Sequence, residues 1–402
     1  LTLNFRADGS SQFGPDKRWG YFPSGAVAWI ITEENFMKDY SNIVSYLKLR
    51  GSVGKTGSQN LGAYDWRTLM GSATYNGAAG IVPSSLGNDI LQWEEQIQKE
   101  VGLDYGFWDD RIRGTLGYYQ KKVDNLLYSD PVPTSSSFSS VYQNIGSLKN
   151  RGIEFDVRVD IIKNVQKDLT WNVDFNIARN RTTLEKLNSS DGYFGGGAYD
   201  YFKIEEGGET GRFYGYKDAG RLFMTNEELV GLKTIDPKTG TLKYYRDDYN
   251  YERQGDVYIM DLDGDGQITA DGDRTVIGNA NPDFFGGFGS TLYWKGLMLN
   301  AVFSYSVGGD RFWDEEKNSS GDMNVYNTSN RILDSWTVNP GVNASYPRAM
   351  YYGWGSNSII TDRYIHDASY LRMTALNLSY RLPKHLYKNS ILNAVEFTFQ
   401  AT

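Results

Sequence analysis

The segment Asp261-Leu262-Asp263-Gly264-Asp265-Gly266-Gln267-Ile268-Thr269 holds the most recognisable chemistry in this 402-residue chain. Carboxylates stand at its first, third and fifth positions. Gly266, at the sixth, permits a sharp turn, and Gln267, at the seventh, offers its backbone carbonyl. This is the opening of an EF-hand calcium loop. Calcium takes several hard oxygen ligands in a flexible ring, and this spacing sets them on one concave side. The twelfth position, where Glu closes such a shell, is Gly272; Asp271 and Asp273 flank it and are the candidates to close it. The expected cofactor is therefore Ca2+ at Asp261, Asp263, Asp265, Gln267, Asp271 and Asp273. The alternative is an Asp/Gly-rich turn held by side-chain-to-backbone hydrogen bonds.

Other chemistry is sparse. The chain has no cysteine and two histidines, His366 and His385. Thiolate sites are excluded, and His-based zinc sites and catalytic triads are not expected. Neither histidine has a nucleophile at a recognisable spacing, so both read as structural or interfacial and no enzyme is expected. Asp109-Asp110 and Glu94-Glu95 are adjacent carboxylates of the kind that turns leave in water. Gly195-Gly196-Gly197 lacks the strand-to-helix setting of a phosphate loop. Aromatic residues cluster instead at Tyr193, Tyr199, Trp313 and Trp354, whose rings suit sugar rings and peptide side chains alike. These are the candidate substrate contacts, although packing between loops produces the same composition and is the expected role of most loop aromatics.

The elements that must carry these residues are strands. Leu169, Trp171, Val173, Phe175 and Ile177 alternate with Thr170, Asn172, Asp174 and Asn176. Ile153, Phe155, Val157 and Val159 alternate with Glu154, Asp156, Arg158 and Asp160. The pattern predicts strands near 1–8, 21–32, 44–54, 98–108, 112–123, 150–160, 169–180, 284–294, 297–308, 369–381 and 394–402. Alternation alone fits a soluble sandwich as well as a membrane barrel. The connections separate the two. Short ones (33–43, 109–111, 161–168, 295–296, 382–393) alternate with long ones (55–97, 124–149, 181–283, 309–368), after an intermediate 9–20. Outer-membrane barrels have short periplasmic turns and long extracellular loops, whereas a sandwich has no reason to send every second connection to one side. The fold expected is all-β, an antiparallel transmembrane barrel with long extracellular loops. Glu154, Asp156, Arg158, Asn172, Asp174 and Asn176 would face its lumen. A phase change along Leu371, Met373, Ala375 and then Leu376, Leu378, Tyr380 predicts a bulge near Ala375.

Composition agrees. Tyr (30), Trp (10) and Phe (19) make up 15% of the chain, and the first two suit positions with one apolar and one wet side. A net charge of −8 argues against nucleic acid. No apolar run is long enough for a transmembrane helix, which leaves a barrel open. The chain starts at Leu1 and ends at Thr402 inside a strand pattern, and it reads as a piece of a longer protein.

Several stretches resemble the C-terminal barrel of SusC/RagA-type TonB-dependent outer-membrane transporters. They are Val101 to Phe107 with its hairpin, Asn144-Ile145-Gly146-Ser147-Leu148-Lys149-Asn150-Arg151-Gly152-Ile153-Glu154, the acidic loop running on through Asp273-Arg274 to Pro282, Tyr346-Pro347-Arg348, and Tyr370 to Pro383. The acidic loop holds one residue more before Asp273-Arg274 than the family pattern. The resemblance implies about half of a 22-stranded barrel, with the plug, TonB-interacting segment and signal peptide outside this chain. It also implies a SusD-like surface lipoprotein as a lid, energy from the TonB complex, and glycan or peptide substrates. Whether two transporter–lipoprotein pairs associate stays open. The alternatives are a soluble or surface calcium-dependent carbohydrate-binding or adhesive β-protein and a passive porin.

Overall fold

The computed structural model describes residues 1–187, 193–195, 201–231, 234–235, 242–243, 253–320, 322–323, 328–341, 343–351, 357, 359–388 and 391–402. Eleven strands form one antiparallel sheet in chain order. They are β1 (Thr2–Gly9), β2 (Trp19–Ile30), β3 (Val44–Ser58), β4 (Glu94–Phe107), β5 (Ile112–Asp124), β6 (Ser147–Asn164), β7 (Leu169–Lys186), β8 (Phe284–Trp294), β9 (Leu297–Val307), β10 (Tyr370–Arg381) and β11 (Glu396–Ala401). All eleven sequence-predicted strands are present. Each pairs only with its chain neighbours, so β1 and β11 lie at the two edges of an open sheet.

The register turns each alternation into a continuous row. Leu103, Leu116, Phe155 and Ile177 stand side by side on β4 to β7, and Phe175, Phe288 and Phe303 continue the next apolar row. The opposite face carries Asp104, Thr115, Asp156 and Asn176 in one row. One face is thus a hydrocarbon-compatible belt and the other is wet, as a membrane barrel requires.

The turns follow their residues. Lys295 (φ 47°) and Gly296 (φ 89°) are both left-handed, which gives the two-residue hairpin the twist its strands need. The bulge falls at Thr374, between Met373 opposite Phe303 and Ala375 opposite Val302. Several strand ends differ from expectation, most of all at the end that carries the long connections. β3 runs on to Ser58, β4 starts at Glu94, β6 starts at Ser147 and β7 reaches Lys186.

Two glycines in the belt seat tyrosines. A Cβ at Gly114 would lie 2.6 Å from the Tyr105 hydroxyl and 2.0 Å from the Asp156 carbonyl oxygen; at Gly286 it would lie 2.8 Å from the Tyr305 hydroxyl and 2.1 Å from the Asn176 oxygen. Each tyrosine crosses its glycine to donate to that carbonyl, at 3.0 and 2.8 Å. Gly286→Ala is expected to cost about 1–3 kcal/mol by displacing ring or strand, read as a lower urea midpoint for the refolded barrel.

Candidate functional site

The long connections all leave the same end of the sheet and fold into two packed units. In the first, Phe13, Phe22, Leu61, Leu91 and Trp93 form a buried core that draws in Leu127 and Tyr142 from the connection between β5 and β6. In the second, Leu222, Phe223, Val257, Ile259 and Ile268 are buried, with Trp336 and Ile359 packed on them. The second unit therefore joins the β7–β8 connection to the β9–β10 connection.

A buried clasp fixes that junction. Arg348 grips Asp256 with two hydrogen bonds of 2.9 and 3.0 Å. Asn357 Nδ2 donates to Asp256 at 2.8 Å, and its Oδ1 accepts the Val257 amide at 2.8 Å. The Arg253 amide adds a further bond at 2.7 Å. The carboxylate is desolvated, yet surrounded by donors, which is the condition under which a buried charge is stable. Beside it, the Arg363 guanidinium lies 2.7 Å from Asp218, whose pKa burial still pushes above the usual carboxylate range. No sequence pattern signals the clasp, because Asp256 and Arg348 lie 92 residues apart.

The acidic loop sits in this unit. Oxygens of Asp261, Asp263 and Asp265 come within 4.8 Å of one another. Asp261 accepts the Gly264 and Gly266 amides at 2.7 and 2.8 Å, and Asp265 accepts the Gln267 amide at 2.8 Å. Asp273 is fully buried and accepts the amides of Leu262 and Thr269 at 2.6 and 2.7 Å, so it staples the two ends of the loop. Asp271 is exposed. At Gly272, where the closing Glu would stand, a Cβ would lie 2.3 Å from Asp263 Oδ2, so a side chain there would require the Asp263 carboxylate to turn.

The loop aromatics divide. Tyr201, Phe202, Phe213 and Phe312 stack on one another, with Tyr201 and Phe312 centroids 5.3 Å apart, so they are packing residues. Trp313 is 40% exposed. Arg331 covers its ring at 4.6 Å and His366 meets it edge-on at 5.5 Å. Both partners also bind the buried carboxylate of Glu316, together with the Tyr346 hydroxyl at 3.1 Å. Trp313 is thus a held ring in a polar surround. Tyr193 lies on a short strand paired with Ile204. Tyr199 and Trp354 lie outside the described residues.

The six polar residues of β6 and β7 share one face, with Asp156 opposite Asn176 and Arg158 opposite Asp174. Charged neighbours extend it. Lys48 and Arg50 reach Asp104 at 3.1 and 3.2 Å, and Arg50 also pairs with Glu100. Asn150 donates to Thr182 at 2.7 Å and Asn300 to Thr291 at 2.9 Å. Acid, base and amide in close alternation can hold water and polar solute without favouring one sign of charge.

Comparison with known proteins agrees with this architecture. Residues 1–394 match the family model described as TonB dependent receptor-like, beta-barrel. TonB-dependent receptor P39 of Formosa agariphila is 32% identical over 98% of this chain and 39% of its own length. TonB-dependent receptor SusC of Bacteroides thetaiotaomicron is 31% identical over all of this chain and 38% of its own. Among solved structures, the RagAB peptide importer in its closed-closed state superimposes with a TM-score of 0.77 at 26% identity, covering 99% of this chain and 41% of that one. The chain thus spans about two-fifths of the length of the curated relatives it matches. With an unbroken antiparallel wall, a continuous apolar belt and every long connection at one end, this chain belongs to the TonB-dependent receptor β-barrels of the SusC/RagA type, proteins of the bacterial outer membrane.

Proposed function

We propose that the full-length receptor imports oligosaccharides or peptides through the outer membrane in a TonB-dependent cycle, and that this chain supplies wall, loops and no catalysis. The observation that carries the reading is the likeness to the RagAB peptide importer over 99% of the chain. Substrate is captured among the two loop units, with Trp313, Tyr193, Tyr199 and Trp354 as contacts. It then passes along the face bearing Glu154, Asp156, Arg158, Asn172, Asp174 and Asn176, which lines the lumen. Uptake of a labelled substrate by cells carrying the full-length receptor is expected to fall to background when TonB is deleted. Undiminished uptake without TonB would contradict the proposal and favour a passive pore.

A SusD-like lipoprotein closing over the loops is part of the same proposal. Its support is the hairpin formed by Met70–Tyr75 and Ala78–Pro83. The stretch 69–86 contains no charged residue, yet Met70 and Ile81 are 60% and 73% exposed. An isolated two-stranded hairpin with free edges is marginal in water, and uncharged apolar surface on a loop marks a partner's seat.

We also propose Ca2+ at Asp261, Asp263, Asp265 and the Gln267 carbonyl. The convergence of the three carboxylates supports it, while Asp271 is the acidic flank with a free approach and Asp273 acts as staple. Millimolar calcium is expected to raise the melting temperature of the full-length receptor by several degrees through linkage. The rise should vanish in Asp263→Ala/Asp265→Ala; an equal rise in that variant excludes the site.

A further inference from the structure

On β4 to β7 the outward, lipid-side positions change character over two adjacent rows. Counting away from the short turns, β4 presents Tyr105, Leu103 and Val101 and then Lys99; β6 presents Phe155 and Ile153 and then Arg151. On β7, Phe175 and Ile177 give way to Arg179. The register sets Lys99 beside Gln120, Gln120 beside Arg151, and Ile153 beside Arg179. Basic side chains therefore begin where the hydrocarbon-facing belt ends, at the extracellular level of the outer-leaflet headgroups.

These cations differ from those further out. Lys55 pairs with Glu95 at 2.6 Å, Lys122 with Asp124 at 3.0 Å and Lys149 with Glu185 at 3.4 Å. Arg181, level with Arg151 on the neighbouring strand, is likewise occupied, held by Asp283 at 2.8 Å. Lys99, Arg151 and Arg179 have no ion-pair or side-chain hydrogen-bond partner among the described residues. Arg151 and Arg179 border a surface cleft of about 350 Å³ with Tyr118 and Ile153. Glu209 stands at its rim, bound to Arg181 and Asn279. Tyr118 also borders an adjoining groove of about 670 Å³, walled by Val27, Val53, Val101 and Lys99. Gly25 and Gly51 leave the floor of that groove bare. Packing does not demand the second glycine, since a Cβ at Gly51 would meet nothing nearer than 3.8 Å.

We infer that this face binds a phosphorylated, acylated lipid of the outer leaflet, its phosphate on Lys99, Arg151 and Arg179 and an acyl chain in the groove over Gly51. Guanidinium groups match phosphate geometry and lose little on partial desolvation. Lys99 and Arg151 stand two strands apart, ~10 Å between backbones, a span that their long side chains close on one phosphate. Unpaired cations beside an apolar groove fit an anionic lipid better than a free anion, because both chemistries are then used at once.

Native mass spectrometry of the delipidated full-length receptor in detergent tests the inference, with monophosphorylated lipid A as probe and its dephosphorylated form as comparison. Retention of the phosphorylated lipid is expected to fall about tenfold in Lys99→Gln/Arg151→Gln/Arg179→Gln and to be unchanged in Lys122→Gln. Gly51→Leu, whose Cβ would meet nothing nearer than 3.8 Å, puts a side chain into the groove and is expected to lower retention about tenfold at constant charge. Heat-shifted migration on denaturing gels verifies that each variant still forms a barrel. Equal retention of the dephosphorylated lipid, or full retention by the triple variant, overturns the inference. Full retention by Gly51→Leu together with complete displacement by inorganic phosphate reduces the site to a free-anion site and overturns the lipid assignment. The assay does not depend on import, so its outcome is separate from that of the uptake experiment.

Discussion

A Val157→Arg receptor unfolds about 2–4 kcal/mol more readily than its parent, the cost of a guanidinium at the middle of the hydrocarbon layer. Val157 stands between Gly114 and Phe175, with apolar rows on either side of it along β6. An arginine there has no water within reach, and the lumen is on the other side of the wall. The neighbouring change, Arg158→Ala, points to the wet face opposite Asp174 and is expected to stay within about 0.5 kcal/mol. Urea unfolding of the refolded full-length receptor measures both. Comparable losses at positions 157 and 158 would mean that the two faces are not differently solvated.

Asp256→Ala has the other large effect, and it falls on the loops. The substitution strips Arg348 of two hydrogen bonds and removes the Asp256 carboxylate from the buried Asn357 amide and the Arg253 backbone N–H, each of which donates to it. Removing one partner of a buried ion pair costs about 3–5 kcal/mol. The unit holding Val257, Ile259 and Ile268 is expected to open locally, while the strands below keep their pairing. Hydrogen exchange should rise sharply across residues 253–279 and stay unchanged across β6 and β7. Unaltered exchange in that segment would show that the clasp does not hold the unit.

The strands were legible because each crosses a boundary with oil on one side and water on the other. Where that boundary ends, so does the signal. β3, β4 and β7 continue to Ser58, from Glu94 and to Lys186, beyond the alternating stretches, because both faces of a hairpin standing above the membrane are wet and its side chains need not alternate. The bulge at Thr374 was visible as a phase change, since one extra residue moves every later side chain to the other face. The acidic loop was legible in its three converging carboxylates. The function of Asp273 as a staple was not, because a spacing pattern does not show whether a carboxylate turns toward an ion or toward the chain's own amides. Trp313 was found by residue type, whereas its partners Arg331, His366 and Glu316 come from separate parts of the loop and are joined only in three dimensions.

The chain contains no cysteine, so single cysteines introduced along β6 and β7 of the full-length receptor in outer-membrane vesicles, read against the unsubstituted receptor as background, report on one residue each. A membrane-impermeant thiol reagent is expected to label positions 154, 156, 158, 172, 174 and 176, from the lumen, and to spare 153, 155, 157, 173, 175 and 177. A lipid-confined quencher should give the reverse. Labelling without a two-residue period, or labelling in the opposite phase, would contradict a membrane barrel with its polar face inward.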